Sequence, residues 1–464
     1  MGRAAYWAVP SLLSLALYWP GLLAWFQKDD FAWLGLRDLV HSWRDLAWAL
    51  FAPLAQGTMR TLSERVFFLS FTSLFGLHAL PFRIWVFAAG FGTLAVLCAV
   101  CARLTRSRAA GFWAAVLWIV NSNNAYVFSW TASYYVLMCT LFFLVALWGL
   151  IRYAETGNRD FLILQWATYL LGFLVLELNV VYPALALVYA LCCARTLVRK
   201  VIPMFVPALG YTWLHLANAP LHSSGPYKMY WDSSVLSTFW AYWKSALGPN
   251  RLIYAGIHPS LLRSGLALGL MAGLLGFLVV MLLKRQWLTF FFASWFLIVL
   301  APLLPLRDHI SDYYLCIPTV GLAMWGSWAF ICGWRAKGAA RVAAVALLVV
   351  YTGINVVVAR IACDSFYSRS LRIHRFVDEV VALTAGHPEN IILLKGVNEE
   401  LFVDAVVHRP FRLYGRRDVY LVGAGTPAEF AIADETVRVA LAERRAVLLD
   451  VSGENVRDIT PKGF

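Results

Sequence analysis

The sequence predicts an all-α polytopic membrane protein with about eleven transmembrane helices, followed by a small C-terminal α/β domain. Hydrophobic residues make up 61% of the 464 residues and charged residues only 14%, which is too apolar for an ordinary soluble domain. The apolar character ends abruptly near residue 361. The sequence therefore predicts a transmembrane domain over 1–361 and a second domain over 362–464.

Eleven apolar runs approach the length at which a helix crosses about 30 Å of hydrocarbon. They cover residues 5–25, 84–104, 110–124, 131–151, 161–176, 180–196, 201–217, 263–283, 287–305, 313–333 and 339–360. The third, fifth and sixth runs are short, and 161–196 could instead form one re-entrant hairpin. We therefore expect about ten to thirteen spans.

The loops predict the orientation of these spans. Basic residues collect on one side, in "CARLTRSR", "IRYAETGNR", "ARTLVRK", "LKRQ" and "WRAKGAAR", whereas "NSNNAYVFSW" on the other side has no charge. By the positive-inside rule the basic side is cytoplasmic, and so is the N-terminus. The outer side then holds the loops at about 26–83 and 218–262 and the C-terminal domain. Abundant arginine and scarce lysine favour a bacterial inner membrane.

Charge and cysteine content exclude two other classes. The net charge is +13, but residues 361–464 hold 13 Lys and Arg against 15 Asp and Glu, so the excess lies in the membrane part as topology signals. No soluble basic face remains for nucleic acid. Seven of the eight cysteines lie within or beside apolar runs, and their spacing gives neither a disulfide framework nor a metal site.

The stretch "WFQKDDFAWLGLRD" places Asp29 and Asp30 directly after the first apolar run. Ionised groups are costly at a membrane surface unless water, a partner or a function keeps them there. The pair could be the solvated end of a span, or it could be a catalytic site. The following "LGLRDLVHSWRDLAWALFAPL" has one apolar and one charged face, which predicts a segment lying flat in the interface.

Further candidate residues lie in other outer loops. The turn "RDHISDYY" is rich in ionisable groups that could contact a phosphate and a sugar, although a surface turn can have the same composition. The aromatic and amide groups of "NSNNAYVFSWTASYY" suit a sugar ring, or an interfacial aromatic belt. The candidate substrate-binding residues are Arg307, Asp308, His309, Asp312, Tyr313, Lys228, Arg251, Trp130 and Glu177.

The C-terminal domain is predicted from three β-like runs, "NIILLKG", "DVYLVGAG" and "RAVLLDVSG". An amphipathic stretch, "SLRIHRFVDEVVALTAG", precedes them, and a helix-like "NEELFVDAVV" lies between the first two. We expect this domain to pack on the outer loops and stiffen them, or to take part in binding an acceptor.

Four motifs resemble, in order and spacing, the C-type glycosyltransferase (GT-C) superfamily over about 1–361. They are "KDDFAWL", "RTLSERVFFLSFTSLFGLHALPFRIW", "LELNVVYPALAL" and "DYYLCIPTVGLAMW". The sequence is most similar to the branch that contains protein O-mannosyltransferases, lipid A aminoarabinose transferases and transmembrane TPR-containing mannosyltransferases. This resemblance implies a GT-C fold and transfer of a sugar, with inversion, from a polyprenyl-phosphate-linked donor to a glycan, lipid or protein acceptor.

The same resemblance gives roles to the acidic pair. Asp29 or Asp30 would deprotonate the acceptor, with Asp29 favoured as the base and Asp30 as its neighbour. In metal-dependent relatives such residues ligate a divalent ion, so Mg²⁺ or Mn²⁺ is a possible cofactor. Arg307, His309, Lys228 or Arg251 would supply the cations that a leaving phosphate needs.

Two departures from the family limit the resemblance. Many relatives have Lys-Glu where this chain has "LELN", so Glu177 has no neighbouring lysine, and the C-terminal domain has no TPR period. Two alternatives remain. One is a non-catalytic protein that binds carrier lipid, such as a flippase or an assembly scaffold, and the other is an O-antigen ligase-like enzyme.

Overall fold

The computed structural model describes residues 2–53, 57–219, 223–386, 390–423 and 426–461. Contacts divide the chain into two compact units. The first, which we call the helical unit, comprises Met1–Leu22, Leu50–Phe67 and Phe82–Ser365. The second, which we call the sheet unit, comprises Leu23–Ala49, Phe68–Pro81 and Phe366–Phe464. The start of the long first loop therefore belongs to the same unit as the C-terminal residues.

One helix lies in each of the eleven stretches that the sequence predicts as spans. In chain order they are α1 (Arg3–Leu22), α2 (Ala79–Thr105), α3 (Arg108–Val120), α4 (Tyr134–Thr156), α5 (Arg159–Gly172), α6 (Tyr182–Cys193), α7 (Phe205–Asn218), α8 (Ser260–Leu283), α9 (Leu288–Leu300), α10 (Pro318–Arg335) and α11 (Ala339–Leu383).

The chain is a multi-pass membrane protein. In the described part of the chain, four helical segments are long and apolar enough to cross a membrane: Ala79–Thr105, Thr131–Thr156, Ser260–Leu283 and Ala339–Leu383. Others are shorter: α5 has 14 residues, about 21 Å at 1.5 Å per residue, against about 30 Å of hydrocarbon. The count of eleven crossings stays a prediction.

Tryptophan side chains fill the core of the helical unit between α3, α9 and α10. Trp118, Trp295 and Trp325 are buried. An indole N–H needs an acceptor when it is removed from water. Trp118 Nε1 donates to the carbonyl of Cys316 at 3.0 Å, and Trp295 Nε1 donates to that of Ile317 at 2.9 Å. These bonds fix the start of α10 against its two neighbours.

A layer of buried amides crosses the helical unit. Asn355 in α11 accepts from the backbone N–H of Ser122 at 3.0 Å and donates to the carbonyl of Leu247 at 3.0 Å. Gly248 follows with φ of +100°, in the left-handed region, and a side chain there would collide with the Asn355 amide. Glycine at this turn therefore permits the close approach of α11.

Helix α11 has 45 residues and is about 68 Å long, more than twice the hydrocarbon thickness. Its C-terminal part contains the amphipathic stretch that the sequence places after the last span. The expected domain boundary at 361/362 lies inside this helix, since no proline or glycine interrupts residues 354–383. Contacts instead divide the units at 365/366.

The sheet unit contains a four-stranded sheet of order β2-β1-β3-β4. The strands are β1 (Ile391–Lys395), β2 (Val419–Val422), β3 (Ala446–Asp450) and β4 (Arg457–Asp458). Strands β2 and β3 are both parallel to β1, and Leu393 is in register with Tyr420 and Leu448. The first three strands lie in the three β-like runs, whereas β4 pairs antiparallel to β3.

Shorter helices connect these elements. They are Asp30–Leu34, Trp43–Phe51, Phe67–Phe75, Asn124–Ser129, Val198–Val201, Ser234–Leu247, Glu399–Asp404 and Asp434–Ala442, and Thr61–Val66 forms a π-helical turn. Trp43, Trp48 and Phe51 are 86%, 50% and 58% exposed. Exposed aromatic side chains are typical of interfacial segments, and the position of this segment in the interface stays a prediction.

Candidate active site

The two neighbouring aspartates of the sheet unit have different surroundings. The Asp29 side chain is 52% exposed, and its Oδ1 lies 2.9 Å from Nε2 of His408. Asp30 is fully buried, and its Oδ2 accepts a hydrogen bond from the backbone N–H of Gln27 at 3.0 Å. Asp30 therefore shapes the turn, and Asp29 presents a carboxylate to solvent.

The turn before Asp29 is anchored to the C-terminal residues. Lys28 has φ of +53°, a left-handed conformation that is uncommon for a residue with a side chain. Its N–H donates to the carbonyl of Asp404 at 2.7 Å, and its Nζ lies 3.6 Å from the Asp404 carboxylate. Arg369 contacts the same carboxylate at 2.9 Å. These contacts hold the strained turn and fix the direction of Asp29.

Three C-terminal residues, spaced four apart, contact the loop around Asp29. Asp404 and His408 are the first two, and Arg412 is the third. Arg412 Nη2 lies 3.4 Å from the carbonyl oxygens of Phe31 and Ala32, at the long end of hydrogen bonding. The sequence reasoning missed all three residues, although their regular spacing in "DAVVHRPFR" was a usable signal.

In the helical unit, Arg60 joins two glutamates. Its guanidinium lies 2.8 Å from Oε1 of Glu64, and Nε lies 3.0 Å from Oε2 of Glu177. The same group stacks 3.9 Å from the ring centroid of Tyr135. Glu177 was a candidate without a neighbouring lysine, and Arg60 is its cation. Arg60 and Glu64 were not singled out from the sequence, although both lie in the second GT-C-like motif.

The charge of this cluster depends on pH. Burial raises the pKa of Glu64 to about 7, although the Arg60 guanidinium opposes this effect. Among the described residues, Glu64 Oε2 has no hydrogen-bond partner. Burial also acts to raise the pKa of Glu177, but there Arg60 prevails and the pKa is lowered. The three groups therefore carry a net charge of −1 above neutral pH and 0 below it.

Aromatic rings surround the candidate Tyr313. Its ring centroid lies 6.1 Å from that of Trp130, 6.4 Å from those of Tyr126 and Tyr135, and 4.5 Å from that of Tyr314. Such edge and tilted contacts are the favoured geometries for aromatic pairs. Tyr135 thus links the Arg60 cluster to the candidate Tyr313, whose ring in turn packs against Trp130.

The amides of "NSNN" do not have the role expected for them. Asn121 Nδ2 donates to the carbonyl of Ala246 at 2.8 Å, and Asn124 Nδ2 donates to that of Trp118 at 2.6 Å. Both side chains are buried. These donors serve packing inside the helical unit, so the expectation that they contact a sugar is wrong for them.

Two predicted cations share one aromatic ring. The guanidinium of Arg307 lies 3.5 Å from the ring centroid of Tyr230, and Nζ of Lys228 lies 4.9 Å from it. Arg307 is 40% exposed, and its contacts with Asp232 at 3.8 Å and Asp308 at 3.4 Å are long. Long, exposed ion pairs are weak, so an anion can compete for these cations.

The other two predicted cations have less freedom. Arg251 is buried and forms a salt bridge with Asp312. The ring of His309 lies 4.5 Å from that of Tyr227, and burial lowers the pKa of His309. Burial therefore disfavours the charged form of His309, which weakens the expectation that it supplies a cation.

The GT-C resemblance implies that Asp29 or Asp30 could ligate a divalent metal ion. Among the described residues, no three His, Cys, Asp or Glu side chains are grouped so that they could hold a metal ion. Asp30 uses one carboxylate oxygen on the backbone, and Asp29 faces a histidine. This donor set does not fit a metal cage built from protein side chains alone, and we derive no step through a metal.

No protein-family model matches the chain, and no curated protein matches its sequence. The fold is similar to that of the oligosaccharyltransferase AglB from Archaeoglobus fulgidus, solved with an inhibitory peptide and a dolichol-phosphate. The TM-score is 0.53 at 11% identity, over 96% of this chain and 69% of that one. The apo form of the Archaeoglobus fulgidus oligosaccharyltransferase is similar with a TM-score of 0.50 at 10% identity. The similarity again covers 96% of this chain and 69% of that one.

A further similarity is to ArnT from Cupriavidus metallidurans, solved bound to undecaprenyl phosphate. It gives a TM-score of 0.47 at 13% identity, over 97% of this chain and 93% of that one. The AglB similarity shows that this chain shares the fold of that oligosaccharyltransferase.

Proposed function

We propose that this protein is a membrane glycosyltransferase that moves a sugar from a polyprenyl-phosphate-linked donor to an acceptor on the outer face of the membrane. The observation that carries the proposal is the half-exposed Asp29 carboxylate, held in a strained turn of a chain with the AglB fold. A fold alone does not define an activity, so the site carries the argument. AglB was solved with a dolichol-phosphate, which suggests the donor class.

Asp29 acts as the general base in this proposal. The acceptor hydroxyl or amide gives its proton to the Asp29 carboxylate while its oxygen or nitrogen forms a bond to the anomeric carbon of the sugar. The bond between that carbon and the phosphate oxygen breaks, and polyprenyl phosphate leaves with the electron pair. A base must lie within hydrogen-bond reach of the proton, which requires an exposed and oriented carboxylate. Asp29 meets this requirement, and the buried Asp30 positions the turn.

The leaving phosphate is assigned to Arg307 and Lys228. Both are cations on one tyrosine ring, and the ion pairs of Arg307 are long enough to be exchanged for a phosphate. A phosphate that gains negative charge as it leaves is stabilised by such cations. The Arg60 cluster is a weaker candidate because two carboxylates already neutralise its guanidinium.

The test is release of polyprenyl phosphate by the purified full-length protein, incubated with polyprenyl-phosphate sugar and candidate acceptors. Asp29→Asn should lower turnover by at least about tenfold, equal to about 1.4 kcal/mol in the barrier, and leave donor binding unchanged. The matched control is Asp38→Asn, which removes an exposed carboxylate from the same loop. Donor binding without any release would instead favour a carrier-lipid flippase or scaffold. Turnover unchanged in Asp29→Asn would refute the role of this carboxylate.

A further inference from the structure

A cavity of about 500 Å³ lies between α8, α10 and α11 in the helical unit. Ligand pockets in proteins have about 300 to 1,000 Å³, so the cavity is large enough for a ligand. Leucine, alanine and glycine dominate its lining. Among the described residues that line it, Lys284 is the one charged residue. The interior therefore suits a hydrocarbon chain.

One end of the cavity is closed by hydrogen bonds. Tyr351 lines this end, and its hydroxyl donates to the carbonyl of Leu117 at 3.2 Å and accepts from Asn121 at 2.7 Å. The carbonyl of Leu247, another lining residue, accepts from Asn355. These polar groups are satisfied within the protein, so the layer that they form can close this end of the cavity.

The opposite end is cationic. Lys284 follows the last residue of α8 and is exposed, and it forms no salt bridge with a carboxylate of the described residues. Arg335, the last residue of α10, lies in sequence between two lining residues, Gly333 and Ala336. Both basic residues belong to loops that the sequence predicts to be cytoplasmic. An anionic head group is thus complementary to this end.

Glycines create the space between the helices. A methyl group on Gly273 would collide with Leu347 of α11, so the helices touch there, whereas one on Gly276 would meet no atom within 4 Å. Only 17% of the most apolar window of α8, and of α11, is buried. The cavity therefore borders helices that face lipid, and a lipid chain can enter from the side.

We propose that this cavity binds one hydrocarbon chain of an anionic membrane phospholipid, with the lipid phosphate at Lys284 and Arg335. The apolar lining selects the chain and the cationic end selects the charge of the head group. This site is independent of the proposed transferase activity, since it uses none of the residues assigned to that reaction. It can be present whether or not the protein transfers a sugar.

The experiment uses native mass spectrometry of the full-length protein in neutral detergent, titrated with phosphatidylglycerol or with phosphatidylcholine of identical chains. We expect one phosphatidylglycerol to bind at least about tenfold more tightly than phosphatidylcholine, since only the phosphatidylglycerol head group carries a net negative charge for the cationic end to select. Lys284→Gln should remove most of this preference, and Lys200→Gln, in another basic loop, should retain it. Equal binding of the two lipids by the unchanged protein would overturn the proposal.

A second pair of variants tests the chain. Gly276→Trp should fill the cavity and abolish tight binding, whereas Gly269→Trp, on the same helix but outside the lining, should bind as the unchanged protein does. If Gly276→Trp does not fold, Gly276→Leu tests the same space. Glycerol phosphate, the head group without chains, should not compete. Unchanged lipid binding in a folded Gly276 variant, or full competition by glycerol phosphate, would contradict the proposal.

Discussion

Glu64 gives the sharpest prediction about stability, because it is a buried carboxyl whose charge changes near neutral pH. Its ordinary pKa of 4.5 is raised to about 7 in the fold. The folded protein therefore binds this proton more tightly than the unfolded chain does. That stabilisation is fully present below pH 4.5 and is lost as the pH rises through 7. With about 1.36 kcal/mol per pKa unit, the loss between pH 5 and 8 is about 2 to 3 kcal/mol.

Glu64→Gln removes this titration and keeps an acceptor for Arg60. We expect the free energy of unfolding of the unchanged protein, relative to that of Glu64→Gln, to fall by about 2 to 3 kcal/mol from pH 5 to pH 8. The measurement is denaturation in mixed detergent micelles at several pH values. Infrared difference spectra should also show a protonated carboxyl band that disappears near pH 7 and is missing in Glu64→Gln. Glu155→Gln, at a more exposed ion pair, is the control. Parallel pH profiles of the two proteins would refute the reasoning.

Three further predictions concern the candidate site and the topology. Arg307→Ala should raise the KM for donor with little change in kcat, since the substitution removes a phosphate contact. An unchanged KM would show that Arg307 does not belong to the site. His408→Ala should lower kcat about tenfold, because it releases the Asp29 carboxylate. His408→Gln should retain most of the kcat of the unchanged protein. If both variants lose the same fraction of kcat, His408 has a structural role instead. The topology is tested with a cysteine in place of Glu399 in a protein whose exposed Cys193 is changed to Ser. This cysteine should react with an impermeant thiol reagent added from the outer side. Labelling only after permeabilisation would place residue 399 in the cytoplasm.

The helices were predictable because a lipid-facing helix needs apolar residues along its whole length. The run that contains "LALGLMAGLLGFL" predicts α8 to within a few residues. It was less predictable that the amphipathic stretch after residue 361 continues the last membrane helix, since its polar residues are typical of the start of a soluble domain. The backbone nevertheless continues as one helix to Leu383 because no helix-breaking residue intervenes.

The candidate site was only partly predictable. Asp29 could be selected because a carboxylate beside an apolar run demands an explanation. Glu64 and Arg60 were overlooked because they lie in a segment that the sequence predicts to lead back into the membrane. Their spacing of four is nevertheless that of a helical ion pair. His408 was overlooked because its only signal was the spacing of four from Asp404 and Arg412, and that spacing does not identify a partner far away in the sequence.

The contacts around Asp29 also bear on how the protein is made. Arg412 and Phe31 are separated by 381 positions, so the loop that contains Asp29 leaves the ribosome long before the residues that fix it. Closing so long a loop is slow, and domains generally form as their residues emerge. During synthesis the membrane helices can therefore insert while this turn is still unsupported. A chain interrupted before residue 404 would lack the contacts that Asp404, His408 and Arg412 make with this turn, so the proposed role of Asp29 depends on completion of synthesis.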